Sequence, residues 1–76
     1  MPHVIVKMYA GRTEAQKQLL AEEITRAVTK TLGAGEDAVS VSIEDVAPED
    51  WIEKVYRPDI AAKSDQLYKK PGYNPL

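Results

Sequence analysis

The groups able to do chemistry in this sequence are few, and the most unusual of them stands at position 2. Cysteine is absent, which removes thiol catalysis and disulfides together. His3 is the only histidine, so neither a hydrolase triad nor a structural zinc site has its ligands. Gly11, Gly33 and Gly35 match no spacing that cradles a phosphate. The carboxylate pairs Glu22-Glu23 and Glu49-Asp50 fit solvated helix faces. Pro2 differs in kind. Trimming an initiator methionine ahead of a small residue leaves proline's secondary amine at the terminus, with a lone pair when neutral and no flexible side chain to order. Such an amine works as a base near neutral pH when an apolar site or nearby cations depress its conjugate acid. The plainer alternative is that Pro2 only marks processing at the start of a strand.

The elements around it can be read from periodicity. Residues 3–8 form a strand pattern with β-branched Val4, Ile5 and Val6, ended by Ala10 and Gly11. Thr13 and Gln16 have capping-box spacing. Residues 14–32 then carry Leu20, Ile24, Ala27, Val28 and Leu32 along one helical stripe, with Gly33 placed as a left-handed stop. Glu14 and Lys30 suit the two ends of the helix dipole. Val39, Val41 and Ile43 alternate with Ser40, Ser42 and Glu44, the clearest strand in the chain. Strand, helix and strand make a βαβ unit with parallel strands. Beyond Val46 the period is lost. Pro48 suggests the first turn of a short helix, and Pro58 is expected to open another, through Ile60, Ala61, Leu67 and Tyr68. Pro71-Gly72 ends it.

The whole chain of 76 residues is expected to form a single domain, with a βαβ core over about 2–46 and a helical extension over about 47–76. A core this small commonly needs a disulfide, a metal or a partner chain, and only the partner is left here. Net charge is −2 with scattered basic residues, which argues against a nucleic-acid partner. The short apolar runs argue against a membrane span. The chain opens on a strand pattern rather than an export signal, so the cytoplasm is the expected compartment.

The Met-Pro opening, the Gly11-Arg12-Thr13-Glu14-Ala15-Gln16-Lys17 segment at the helix entry, the long helix and the alternating second strand resemble the 4-oxalocrotonate tautomerase superfamily. Trp51 and the ending Lys69-Lys70-Pro71-Gly72-Tyr73 look like its longer-tailed branch, typified by a bacterial phenylpyruvate-type tautomerase. The resemblance implies an α/β (α+β) fold in which two βαβ units make a four-stranded sheet with two helices. It also implies a cofactor-independent keto–enol tautomerase, with Pro2 as general base. Arg12 matches the arginine that binds the substrate carboxylate, although a solvated loop arginine would look the same. Trp51 matches an aromatic of the pocket, although a core or interface tryptophan is its alternative. Ser40 stands where well-studied members carry a second arginine from a neighbouring subunit. Serine keeps the hydrogen bond and loses the charge, so a monoacid such as an arylpyruvate is expected rather than a dianionic dienoate. His3 is read as structural. No metal or cofactor is expected. The expected partners are a small 2-oxo or enol acid and further copies of the chain, with a dimer favoured over the hexamer of short-chain members. The alternative function is a non-catalytic oligomeric βαβ module that binds a small ligand or a partner protein.

Overall fold

In a computed structural model that describes residues 1–76, the chain runs β1 (His3–Tyr9), α1 (Glu14–Leu32), β2 (Ser40–Val46) and then a helical extension. The two strands pair in parallel, with His3 opposite Ser40 and Tyr9 opposite Val46. That register is what a βαβ crossover requires. The entry to α1 is fixed locally. Thr13 Oγ1 accepts from the Gln16 amide at 3.1 Å, and Gln16 Oε1 accepts from the Thr13 amide at 2.9 Å. Both free amides are thereby satisfied at the helix start. At the other end Gly33, at φ 71°, turns left-handed and its amide bonds Thr29 O.

The alternation of the strands decides which residues α1 covers. Val41 faces Ala21 and Thr25 of α1 across a shallow hollow, and Lys17 reaches down to Asp45 at 2.5 Å. Residues 41, 43 and 45 therefore point to the helix, together with their register partners Val4, Val6 and Met8. The opposite face carries His3, Ile5, Lys7 and Tyr9 from β1.

The extension lies over part of that second face, and here the sequence expectation needs correcting. Pro48–Asp50 is a single tight turn, as expected. Pro58, however, does not open a helix. It lies inside a wide helix, Ile52–Ala61, whose amides reach back five residues, as Ala62 N does to Arg57 O at 3.0 Å. That helix stops at Ala61, so Leu67 and Tyr68 are not part of it. Only a one-turn piece, Ser64–Gln66, follows.

Packing is concentrated at one end. Val46, Val55 and Tyr56 are the three buried residues of the chain, and α1 contains none. Ile5, Leu19 and Leu32 are each more than half exposed. A single chain thus leaves nearly all of its apolar side chains at least partly exposed. Since Val55 is 5% exposed, Val55→Ala removes two methyl groups from the best-packed part of the molecule. It is expected to cost about 2 kcal/mol, read as a lowered urea midpoint with unchanged slope.

Candidate active site

The sequence candidates fall at the two ends of the parallel strands. At the starting end, Pro2 immediately precedes β1, and its carbonyl accepts the Ser40 amide at 3.2 Å. Ser40 Oγ in turn lies 2.6 Å from His3 Nδ1. Pro2, His3 and Ser40 are therefore one hydrogen-bonded cluster, which the strand register brings together from positions 37 residues apart. The hydrogen bond of His3 to Ser40 was not anticipated, because it depends on register, and register is invisible along one strand.

At the far end lie Arg12 and Trp51. Gly11, at φ 127°, takes the chain out of β1 in a conformation that side chains disfavour. Arg12 follows it, just ahead of the Thr13 cap, and is exposed. Arg26 and Arg57 are held by Glu23 and Glu53. Arg12 is the one arginine of the chain without a carboxylate partner. Trp51 packs edge-on against Tyr9, with ring centroids 5.2 Å apart and planes at 85°. Its indole N–H donates to the Tyr73 hydroxyl at 3.0 Å. No spacing rule pointed to Tyr73 as that acceptor.

Beside Trp51 a hollow of about 460 Å³ opens between β1 and the wide helix, lined by Ile5, Lys7, Val55, Asp59, Ile60 and Lys63. Ile5, Trp51, Val55 and Ile60 supply the apolar part of its lining. At its rim Lys7 Nζ donates to Asp59 Oδ2 at 2.6 Å. That hydrogen bond raises the Lys7 ammonium above the ordinary lysine value, against a smaller opposing effect of desolvation. Lys7 is thereby kept charged and occupied by its own carboxylate. Lys63 forms no ion pair.

β1 spans six residue steps from His3 to Tyr9, about 20 Å at the rise of a parallel strand. Within one chain, the structure therefore joins Pro2 to Ser40 and separates both from Arg12 and Trp51. No group of three or more histidine, cysteine or acidic side chains is arranged to hold a metal, and no helix is long and apolar enough to cross a membrane.

Residues 2–56 match the model of the tautomerase enzymes. The chain belongs to the tautomerase family. This tautomerase is 45% identical over its whole length to a probable tautomerase of Xylella fastidiosa, of which it covers 93%. It is 42% identical to tautomerase PptA of Cronobacter sakazakii, over 96% of its own length and 97% of the relative's. Among solved structures it resembles YwhB, a homologue of 4-oxalocrotonate tautomerase. There the TM-score is 0.59 and the identity 48%, over 60% of this chain and 75% of that one. It also resembles TomN, a homologue from the tomaymycin biosynthetic pathway. That match has a TM-score of 0.65 and 36% identity, over 66% and 77% of the two chains. The βαβ fold and an isomerase of the tautomerase type are thus established, and the non-catalytic module gives way to an enzyme.

Proposed function

We propose that this tautomerase interconverts the keto and enol forms of a small monocarboxylic 2-oxo acid with an aromatic tail, such as an arylpyruvate, in the cytoplasm and without a cofactor. Pro2, exposed after loss of Met1, is the general base. It moves a proton between the carbon next to the carbonyl and the enol oxygen. Ser40 donates a hydrogen bond to the oxygen on which charge develops, Arg12 holds the carboxylate, and Trp51 lines the pocket for the tail.

The observation that carries this reading is the distribution of those residues over two ends of one sheet. A base about 20 Å from the carboxylate anchor cannot share a small substrate with it inside one chain. Two copies related by a two-fold axis, with their strands antiparallel, bring the starting end of one to the far end of the other. The open pair of strands and the thinly packed chain favour the same pairing, since two strands make no independent sheet. The proposed assembly is a dimer with a four-stranded sheet and two helices, each chain being one domain with a βαβ core near 2–46 and the extension near 47–76. The extension lies over the strand face opposite α1, through Lys7–Asp59 and Tyr9–Trp51. That cover over one face of the sheet favours the dimer over a hexamer.

The unpaired state of Arg12 supports its role. A guanidinium fork free of internal carboxylates is available to a bidentate carboxylate ligand. Arg12→Ala is expected to raise KM for an arylpyruvate enol by about tenfold or more, as for loss of a charged hydrogen bond, with a smaller change in kcat. Steady-state kinetics read the two separately. An unchanged KM would return Arg12 to the solvated loop.

A further inference from the structure

We infer that Tyr73 is a specificity-determining positioning residue, whose hydroxyl fixes the indole of Trp51 on the wall of the hollow and so sets the preference for an aromatic tail. The inference deepens the function proposed above and rests on the place given there to Trp51.

Trp51 is the only tryptophan of the chain. It is half-buried and lines the hollow together with Ile5, Val55 and Ile60. Two contacts hold its ring. Tyr9 meets it edge-on, with centroids 5.2 Å apart, and its Nε1–H donates to the Tyr73 hydroxyl at 3.0 Å. An indole nitrogen can only donate, so the sense of that bond is fixed. The ring contact alone leaves the indole some freedom to turn about its side-chain torsions. The hydrogen bond does not, because it weakens steeply with angle.

Tyr73 is itself anchored. Its ring lies against that of Tyr56, with centroids 5.7 Å apart, and Tyr56 is only 7% exposed. Half-buried Pro71 precedes it, and Asn74 Oδ1 accepts the Leu76 amide at 3.0 Å, closing the last residues into a turn. The phenol oxygen thus reaches Trp51 from a segment 22 residues further along the chain. That segment lies outside residues 2–56, the stretch matched by the family model. Contact runs from buried Tyr56 through Tyr73 to Trp51 and ends on the hollow.

The consequence is selective. A flat aromatic tail is stabilised by an indole only at particular offsets and angles, because both π-systems carry a quadrupole. A methyl group makes no such demand. Freeing the indole therefore costs an arylpyruvate more than it costs a 2-oxo acid without a tail. Tyr73 acts wholly through Trp51.

The test compares kcat/KM for the enols of phenylpyruvate and pyruvate on the full chain, circular dichroism confirming each fold. Tyr73→Phe keeps the ring against Tyr56 and removes only the acceptor. It is expected to lower the phenylpyruvate-to-pyruvate ratio about three- to tenfold, the worth of one hydrogen bond. The single tryptophan supplies a second readout that is independent of turnover. The fast, local part of its emission anisotropy decay should grow in Tyr73→Phe. In a Trp51→Phe background, which has no N–H to hold, Tyr73→Phe is expected to change the ratio no further. A native ratio in Tyr73→Phe, an unchanged anisotropy decay, or losses that multiply in the double variant would overturn the inference. Trp51→Ala is assayed alongside. A native ratio in Trp51→Ala would remove Trp51 from the pocket and the inference with it. A lowered ratio there, with a native one in Tyr73→Phe, removes only the role of Tyr73.

Discussion

Masking the nitrogen of Pro2 is expected to abolish turnover while leaving the fold intact. An acyl group, or a retained Met1, converts the amine to an amide whose lone pair is delocalised, so nothing remains to take the proton. The expected loss is the share of a positioned general base, roughly 10²–10⁴-fold. Pro2→Ala, if its terminus is trimmed, keeps a primary amine and should fall between native and masked protein. The carbonyl of residue 2 still accepts from Ser40 N in that variant, so the strand end stays paired. The pH–rate profile of the free enzyme should show an ascending limb below the range of an ordinary terminal amine. Ketonisation of an arylpyruvate enol, followed by absorbance, measures all three proteins. Equal rates for masked and native chains would mean that the base lies elsewhere.

The second large effect is a rescue. Chains masked at Pro2 and chains carrying Arg12→Ala should each be poor enzymes alone and recover activity when mixed. The masked chain still presents Arg12 and Trp51 at its far end, and the Arg12→Ala chain still presents Pro2 and Ser40. In a two-fold dimer each mixed pair holds one complete site and one lacking both groups. Random exchange makes about half the dimers mixed, so about a quarter of all sites should be restored. The mixture is best made by unfolding and refolding together, with sedimentation to confirm the dimer. No gain over the separate proteins would mean that no site takes Pro2 from one chain and Arg12 from the other, and a stable monomer in sedimentation would remove the assembly on which the site depends.

Much of the core was legible because its signals are local. Thr13 with Gln16, the stripe from Leu20 to Leu32, Gly33 and the Val39–Ile43 alternation each act within a few residues. The helix bounds and caps follow from them. The same kind of reading failed after Val46 for a definable reason. Trp51, Val55 or Tyr56, and Ile60 recur every four to five residues, the repeat of a helix whose amides reach back five. Against a repeat of 3.6 that series looks aperiodic, and Pro58 looks like a beginning. The candidates Pro2, Arg12, Ser40 and Trp51 could be named from residue type and resemblance, yet their division between two ends of the sheet could not. That division depends on parallel pairing and register, which join His3 to Ser40 and carry Arg12 a strand length away. Tyr73 and the Lys7–Asp59 pair escaped for a similar reason, since both depend on where the extension comes to rest.

The parallel order of β1 and β2 also bears on how such a gene can diverge. If Pro2 is the base and Arg12 the anchor, as proposed, the two lie at opposite poles of one chain, and a symmetric pair would have to preserve both poles in the same sequence. Duplication lifts that constraint. One copy could then keep Pro2 and Ser40 while its Arg12 pole drifts, and the sister copy could keep Arg12 and Trp51 while its Pro2 pole drifts. Paired, the two would hold one working site and one vacant one, free to change its chemistry without loss of the first.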